Sequence, residues 1–356
     1  MMKGLKKWRL FSLLAVMTVF LSACGENYIS TLKPAGAVGK EQLNLLIFST
    51  SIMALVVVVV SVLYLLAFVK FRRKKQGENH IPKQVEGSHT LEVIWTVIPI
   101  ILLLILSVPT LVTTYKLGDV AAMEHVDEDG NKTALTVNVT AKLYWWEFEY
   151  PEQGIVTAQE LVVPTDEKVY FNLKAADVKH SFWIPSIGGK MDTNVENVNK
   201  FYLEFNEESQ GLKDGVFYGK CAELCGPSHA LMDFKVKTLD RDAFDAWVAA
   251  MQATEGQTAS TDSTDLGEAT FAANCLGCHA ISGAGASGAM GPNLTTFADR
   301  NRVAGVLEHT KGSVETWIKN PESIKPGNLM TGAYGELSDE EVSAVADYIM
   351  SLSVED

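Results

Sequence analysis

Two long apolar stretches lie in the first third of the chain. Residues 43–69 and 93–115 contain no charged side chain. As helices they would extend roughly 40 and 35 Å, enough to cross a hydrocarbon core of about 30 Å. Each stretch therefore predicts a transmembrane helix, and the two prolines in the second are tolerated in that setting.

After the second stretch, the pattern becomes that of short strands. Residues 135–139 alternate apolar and polar side chains, and residues 168–173 form another strand-like run. Glycine and proline turn signals recur at short intervals between residues 151 and 211. This pattern predicts an all-β sandwich within residues 116–253, closed by a helix at 240–252.

A second change of pattern separates a small C-terminal domain. Residues 254–265 contain no large apolar side chain and predict a flexible linker. In residues 266–356 the apolar spacing is helical, most clearly at 339–352 after the N-cap residue Ser338. The predicted fold class is therefore multidomain: a two-helix transmembrane hairpin, an all-β sandwich and a small all-α domain.

The N-terminal residues predict export. Four basic side chains precede a short apolar run, and small residues then lead to Cys24. This order is typical of a signal peptide over residues 1–23. It resembles a bacterial lipoprotein signal, which would place a lipid on Cys24. An ordinary signal peptide, with Cys24 incidental, is the alternative.

Charge gives the membrane topology. Six residues, 70–75, contain five lysines and arginines, so the loop 70–92 is predicted to be cytoplasmic. Residues 24–42 and everything after 115 are then extracytoplasmic, on the outer face of a bacterial cell membrane. This orientation agrees with the signal peptide.

The rest of the charge is strongly asymmetric. The first 115 residues carry 12 Lys and Arg against 5 Asp and Glu, whereas the remainder carries 18 against 38. An acidic soluble part would repel phosphate, so nucleic-acid binding is not expected. An acidic surface suits a basic protein partner, although ordinary solubility explains it equally well.

One short loop concentrates soft metal ligands. Two thiols, an imidazole and a thioether fall within twelve residues, a set that suits copper in an electron-transfer site. A single copper would need one thiolate, whereas two thiolates can bridge two ions. A disulfide between the two cysteines is the alternative in an exported protein. The predicted ligands of a binuclear copper centre are His180, Cys221, Glu223 through its backbone carbonyl, Cys225, His229 and Met232.

The C-terminal domain contains a haem attachment motif. Cys275 and Cys278 are spaced to add to haem vinyl groups, and His279 follows as a ligand for the iron. A Gly-Pro-Asn-Leu segment comes at the distance typical of the proline loop in cytochromes c. Met330 is predicted as the sixth ligand, with Met290 as the alternative. A disulfide between the two cysteines is a less favoured explanation.

With these motifs, the chain resembles subunit II of haem-copper cytochrome c oxidases. The haem motif makes it similar to the caa3 type of Gram-positive bacteria, which carries a fused cytochrome c domain. The resemblance implies a cupredoxin fold and two copper ions. It also implies that the Glu223 side chain reaches a magnesium ion shared with subunit I, and that Glu92 stands at the entrance of a proton pathway. Asp177 and Asp192 match acids near the copper site.

The same resemblance implies function and partners. Electrons would pass from cytochrome c, here the chain's own c-type haem, through the copper pair to a haem in subunit I. There oxygen is reduced to water with proton pumping, so this chain is one subunit of a proton-translocating oxidoreductase and has no oxygen-reducing site. Expected partners are subunit I and other oxidase subunits, membrane lipid, and an upstream cytochrome c or quinol–cytochrome c reductase complex.

The aromatic run at 144–150 departs from the family pattern. Oxidases that accept electrons from soluble cytochrome c have a tryptophan at the position where electrons arrive. Alignment on Trp146 places Tyr144 there. We therefore predict that Tyr144 or Trp145 forms the contact with the tethered haem domain, unless these rings only pack the core.

Two other functions are weighed against the oxidase. A nitrous oxide reductase has a similar copper loop but would lack the membrane hairpin and need a large catalytic domain. A membrane-tethered electron carrier or copper-handling lipoprotein would act without an oxidase. Co-purification with a large haem-containing membrane subunit separates these functions.

Overall fold

The computed structural model describes residues 12, 16, 27–72, 81, 83–130, 132–284 and 290–355. Cys24 and nearly all of the predicted signal peptide lie outside the described residues. Among these described residues, two helices are long and apolar enough to cross a membrane. They are α1 (Ala37–Lys70) and α2 (His89–Leu117), which begin and end beyond the apolar stretches 43–69 and 93–115 because polar end turns continue each helix.

The β domain follows as a sandwich of two five-stranded sheets, ordered β3-β2-β1-β5-β8 and β4-β10-β9-β6-β7. The pairs β1–β5 and β4–β10 are parallel and the other paired strands are antiparallel. The strands are β1 (Thr136–Lys142), β2 (Trp145–Tyr150), β3 (Ile155–Ala158), β4 (Glu160–Pro164), β5 (Lys168–Ala175), β6 (His180–Trp183), β7 (Met191–Thr193), β8 (Asn199–Glu204), β9 (Phe217–Cys221) and β10 (Asp233–Leu239).

Aromatic rings fill the space between the two sheets. Trp146 of β2 is fully buried and packs edge-on against Phe182, with ring centroids 5.6 Å apart. Phe182 in turn stacks on Phe234 at 4.8 Å. Because these large side chains alternate along their strands, the pleat sends them all into one core. Helix α3 (Arg241–Gln252) closes the domain after its N-cap Asp240.

The open end of the helical hairpin lies against the β domain. The Ala35 amide donates to the Ser186 carbonyl at 2.7 Å, and the Gly39 amide donates to Ile187 at 2.8 Å. A Cβ on Gly39 would lie 2.8 Å from the Ile187 carbonyl oxygen, so this approach requires glycine. The β domain therefore sits at the end of the hairpin opposite the loop between α1 and α2.

The C-terminal domain is a small helical domain built on a crossing of its first and last helices. Phe271 and Tyr348 pack together there, with ring centroids 5.5 Å apart. Its elements are α4 (Leu266–Asn274), β11 (Arg302–Val303), β12 (Leu307–Glu308), α5 (Lys311–Lys319), α6 (Pro321–Ile324) and α7 (Asp339–Ile349).

The crossing of α4 and α7 depends on Gly267. A Cβ at this position would overlap the Ala344 carbonyl oxygen and lie 2.9 Å from the Tyr348 Cβ. We expect Gly267→Ala to lower the free energy of unfolding of the C-terminal domain by about 1–3 kcal/mol, because the added methyl group overpacks the helix crossing. The midpoint of thermal unfolding measures this change.

Gly312 supplies the matched control. It is also the second residue of a helix, α5, and a Cβ there meets nothing within 4 Å. Gly312→Ala should therefore leave stability unchanged or raise it by about 0.5–1 kcal/mol. Equal effects of the two substitutions would contradict the role given to Gly267.

The segment predicted as a linker, 254–265, makes contacts of its own. Ala259 is buried in the core of the C-terminal domain, and Ser263 donates to Glu268 at 2.7 Å. The two domains also touch directly: the Asn301 amide donates to the Glu160 carboxylate at 2.6 Å. The C-terminal domain is therefore packed against the β domain in this structure.

Candidate metal centre and haem cavity

The β domain brings together soft donors that are distant in sequence. His180 begins β6 and Cys221 ends β9, and these strands are paired with Phe182 opposite Cys221. The loop 222–232 carries the remaining donors and returns to β10. The Cys221 amide donates to the Met232 carbonyl at 3.3 Å and closes this loop.

The two thiols form the centre of the cluster. Cys221 Sγ and Cys225 Sγ are 3.9 Å apart, and both cysteines are free and buried. His180 Nδ1 lies 3.9 Å from Cys221 Sγ, whereas His229 Nδ1 lies 3.7 Å from Cys225 Sγ. The thiols are therefore in the middle with one imidazole beside each. This arrangement favours metal binding over the disulfide alternative, because a disulfide bond holds its sulfurs about 2.05 Å apart.

Two weaker donors complete the set. The Met232 thioether sulfur lies 3.9 Å from Cys225 Sγ, and the Glu223 carbonyl oxygen lies 3.3 Å from Cys221 Sγ. Trp146, through its indole N–H, donates to the Met232 carbonyl at 3.3 Å. Thiolate, imidazole and thioether are the donors that copper prefers in electron-transfer proteins, so the residues fit the predicted metal.

The charges of the cluster also fit a cation. Burial opposes ionisation of Cys221, but hydrogen bonds with His180 and the backbone of Glu223 outweigh it and lower the pKa of that thiol. Burial and the negative charge of Cys221 raise the pKa of Cys225. Without a metal only one thiol ionises readily. A bound cation would offset the repulsion and allow both to act as thiolates.

His180 is held in place by Asp177. Its Nε2–H donates to an Asp177 carboxylate oxygen at 2.8 Å, which leaves Nδ1 directed at the thiol. The same carboxylate accepts from the amides of Val178 at 2.6 Å and Leu143 at 2.7 Å. Burial opposes the charge on Asp177, but these hydrogen bonds keep the pKa of the carboxyl below its usual range. Asp177 thus orients a metal ligand, as outer carboxylates do in metal sites.

A largely apolar cavity in the C-terminal domain contains the haem attachment motif. Cys275, Cys278 and His279 follow helix α4 and line the cavity, and Met330 lines it as well. Met290 also lines the cavity but is 58% exposed. The backbone of the motif is a tight turn, in which the His279 amide donates to the Cys275 carbonyl at 3.0 Å.

The proline loop fixes the tautomer of His279. His279 Nδ1 lies 2.8 Å from the Pro292 carbonyl oxygen, so it carries the proton and Nε2 remains free as a ligand. Burial lowers the pKa of His279, which keeps the ring neutral. A Cβ on Gly291 would lie 2.6 Å from the His279 ring, so the loop can pack this closely only with glycine. These residues fit a haem iron.

Tyr144 lies between the cavity and the metal cluster. Tyr144 and Trp145 are buried and form part of the haem cavity wall, although they belong to the β domain. The Tyr144 hydroxyl hydrogen-bonds the Ser228 backbone and lies 2.5 Å from where a Gly226 Cβ would be. The ring therefore reaches from the cavity to the loop that holds Cys225.

Three family models match the chain. Residues 27–112 match "Cytochrome C oxidase subunit II, transmembrane domain", residues 152–239 match "Cytochrome C oxidase subunit II, periplasmic domain", and residues 264–353 match "Cytochrome c". Cytochrome c oxidase subunit 2 of Bacillus sp. (strain PS3) is 56% identical over 358 residues, which cover 100% of each chain.

The chain belongs to the cytochrome c oxidase subunit II family. The subunit 2 proteins of Bacillus subtilis (strain 168) and Alkalihalophilus pseudofirmus are 53% and 42% identical, and each alignment covers 98% of this chain and 99% of the relative. The predicted family, fold class and electron-transfer role in an oxidoreductase complex are thereby confirmed, as are a copper-binding family and a haem-binding domain. Subunit II is a membrane protein and works with other oxidase subunits.

The structure brings together the predicted copper donors and, separately, the predicted haem residues. Glu92 lies apart from both, exposed in the first turn of α2, and its role stays a prediction. Two residues that the sequence does not single out lie where the domains meet: Lys325 and Ser228. Neither has a distinguishing signal, since a lysine before Pro-Gly and a serine after Gly-Pro are ordinary turn residues.

The contact between Asp177 and His180 predicts an effect on copper affinity. We expect Asp177→Asn to weaken copper binding in this subunit II about 10- to 100-fold, because the amide cannot hold the imidazole as a carboxylate does. Competition with a copper chelator measures the change. Asp192→Asn is the control: Asp192 pairs with Lys179 at 3.4 Å rather than with His180. A copper affinity unaltered in Asp177→Asn would contradict the orienting role.

Proposed function

We propose that this subunit II carries electrons from a covalently bound c-type haem on Cys275 and Cys278 to two copper ions, and onward to the haem of subunit I. The predicted copper ligands are His180, Cys221, the Glu223 carbonyl, Cys225, His229 and Met232. The predicted axial haem ligands are His279 and Met330. One observation carries the proposal: Tyr144 belongs both to the wall of the haem cavity and to the surroundings of the copper loop.

Two features of the chain favour electron transfer: the burial of the copper ligands and the presence of the haem domain in the same chain. The two buried thiols, with one imidazole beside each, are largely shielded from water, which limits reorganisation when the charge changes. When bound, two thiolate-bridged copper ions would share one electron and spread that charge change. Because the haem domain is part of the same chain, donor and acceptor stay at high effective concentration.

Tyr144 and Trp145 are proposed to form the contact through which electrons leave the haem cavity. Both rings are held by the β domain and face the C-terminal domain. Their position supports the idea that the tethered haem replaces a soluble donor at this surface. A Tyr144→Ala variant with an undiminished rate of haem-to-copper transfer would contradict this part of the proposal.

The division of the chain is proposed as predicted from the sequence, from the signal peptide 1–23 to the cytochrome c domain 266–356. The soluble domains are proposed to lie on the extracytoplasmic face, with lipid on Cys24. The basic residues of the loop 70–92 support this orientation. The position of the β domain at the opposite end of the hairpin is compatible with it. Mass spectrometry of the mature N-terminus tests the lipid.

Further partners are proposed for the assembled oxidase. The Glu223 side chain would reach a magnesium ion at the contact with subunit I, and Glu92 would stand at the entrance of a proton pathway there. An upstream cytochrome c or quinol–cytochrome c reductase complex would reduce the haem, with oxygen reduced to water in subunit I. The acidic soluble part suits a basic donor.

The decisive experiment uses the purified oxidase complex. We expect two copper ions and one covalent c-type haem per subunit II, and a copper resonance whose hyperfine structure shows one electron shared by two nuclei. After flash reduction of the c-type haem, its oxidation should coincide with reduction of copper. Haem oxidation without any copper reduction would contradict the proposed route.

A further inference from the structure

A lysine is buried at the boundary between the two soluble domains. Lys325 follows α6 in the C-terminal domain and is only 3% exposed. Its side-chain nitrogen donates to the Tyr144 carbonyl of the β domain at 3.0 Å, and the lysine also lines the haem cavity. Burial lowers the pKa of Lys325 to about 7. Burying the polar end of a lysine side chain costs free energy, so the contact calls for an explanation beyond packing.

The residues after Lys325 contact the β domain. Ser228, of the copper loop, donates through its hydroxyl to the Pro326 carbonyl at 2.8 Å. Gly327 has a φ of +76°, and a Cβ there would lie 3.5 Å from the Tyr144 hydroxyl and 3.7 Å from Pro227 Cγ. We call residues 325–327 the docking segment. The docking segment lies between Tyr144 on one side and Pro227 and Ser228 on the other.

The docking segment is tied to the loop that carries the predicted haem ligand. Asn328 directly follows the segment, and its side-chain oxygen accepts from the Met330 amide at 2.9 Å. The side-chain nitrogen of Asn328 donates to the Lys325 carbonyl at 2.7 Å. These two hydrogen bonds couple the position of the docking segment to the shape of the loop around the Met330 sulfur.

The β-domain residues that contact the docking segment adjoin the predicted copper ligands. Ser228 directly precedes His229 in the copper loop. Leu143 directly precedes Tyr144, and the Leu143 amide donates to Asp177 at 2.7 Å. That carboxylate in turn holds His180. The docking segment therefore contacts parts of the β domain that adjoin both imidazoles of the copper cluster.

Further contacts between the two domains are made by other residues of the β domain. The Asn301 amide binds the Glu160 carboxylate, and the Lys235 ammonium lies 3.5 Å from the Gly305 carbonyl and 3.8 Å from the centre of the Tyr218 ring. These contacts hold the C-terminal domain on the β domain at a second place. Loss of Lys325 alone is therefore expected to change the local fit around Tyr144 rather than to separate the domains.

We propose that Lys325 is a positioning residue for electron transfer from haem to copper: its buried side-chain nitrogen donates to the Tyr144 carbonyl and fixes the docking segment against the copper loop. The inference rests on the proposed function, because it concerns the same electron route. Transfer between redox centres falls steeply with their separation, so a small shift of the docking segment lowers the rate without altering either centre.

The test measures haem-to-copper transfer by flash reduction in the full oxidase complex. Lys325→Met keeps the length and the apolar stem of the side chain but removes the donor. We expect the transfer rate to fall severalfold, because the rate falls with the separation of the two redox centres. The absorbance spectrum of the haem, its reduction potential and the copper resonance should stay as in the wild type.

Lys235→Met is the matched control. This lysine is also buried at the domain interface, and burial lowers its pKa to about 8, but it contacts Gly305 and Tyr218 instead of Tyr144. We expect its transfer rate to stay within about twofold of the wild-type rate. If Lys325 had only a structural role, Lys325→Met would lower thermal stability and leave the rate in the folded complex unchanged, and that result would overturn the inference.

A second variant keeps the test decisive if Lys325→Met does not assemble. Ser228→Ala removes the hydrogen bond to Pro326, which is the second polar contact of the docking segment with the β domain, and should lower the transfer rate severalfold. A wild-type rate in Ser228→Ala would then overturn the inference. Absence of haem-to-copper transfer in the wild-type complex would overturn the proposed function and this inference together. Transfer that Lys325→Met retains in full would overturn this inference alone.

Discussion

Cys225→Ser is expected to abolish the copper centre while the haem remains. Cys225 lies between three other donors, with Cys221 Sγ, His229 Nδ1 and Met232 Sδ all within 3.9 Å of its sulfur. Loss of an outer partner alone costs about 10- to 100-fold in metal affinity, so loss of a central thiolate should exceed that range. Copper analysis and the copper resonance of the purified complex measure the loss.

Leu224→Ser provides the control for this substitution. Leu224 precedes Cys225 in the same loop, is 78% exposed and offers no donor. The Leu224→Ser substitution introduces the same residue type into the loop but removes no metal donor, so copper should stay bound. Haem absorbance should be normal in both variants, because neither residue lines the haem cavity. Full copper content in both Cys225→Ser and Cys221→Ser would refute the copper assignment.

Met330→Ala is expected to lower the reduction potential of the haem. A thioether ligand favours the reduced iron, and axial ligands set haem potentials over a span of roughly 0.8 V. Replacement of that ligand by water or another donor should therefore lower the potential by an amount on the order of 0.2 V. Redox titration of the haem absorbance measures the shift, and an unchanged potential would contradict ligation by Met330.

Met290→Ala distinguishes the two candidate sulfur ligands. Met290 also lines the haem cavity, but its side chain is largely exposed, whereas Met330 is held in a loop shaped by Asn328. We expect Met290→Ala to leave the potential within a few tens of millivolts of the wild-type value. The reverse outcome, a large shift in Met290→Ala alone, would reassign the ligand to Met290.

Motifs that are local in the chain can be recognised from residue order alone. Cys275, Cys278 and His279 are held by one turn after α4, and Cys221 and Cys225 by one loop. Short spacing restricts how far such side chains can separate, whatever the rest of the fold does. The apolar stretches behave in the same way, because the length of a helix follows directly from the number of residues.

Long-range pairings are less accessible from the sequence. His180 is predicted as the second histidine, but its place beside Cys221 depends on the pairing of β6 with β9. The family resemblance identifies Asp177 only as an acid near copper, whereas its hydrogen bonds to His180 and to Leu143 depend on the fold. The packing of Ala259 into the C-terminal core shows how tertiary contacts order part of a segment that has no apolar pattern.

The sequence by itself determined the membrane hairpin, the strand and helix domains and the chemistry of both redox motifs, since each follows from residue type and local spacing. The tertiary structure alone decided how those domains meet. Lys325 and Tyr144 are 181 positions apart, and nothing in either local pattern indicates their contact. It exists because two separately folded surfaces fit together, and surface fit depends on the three-dimensional positions of side chains rather than on their order in the chain.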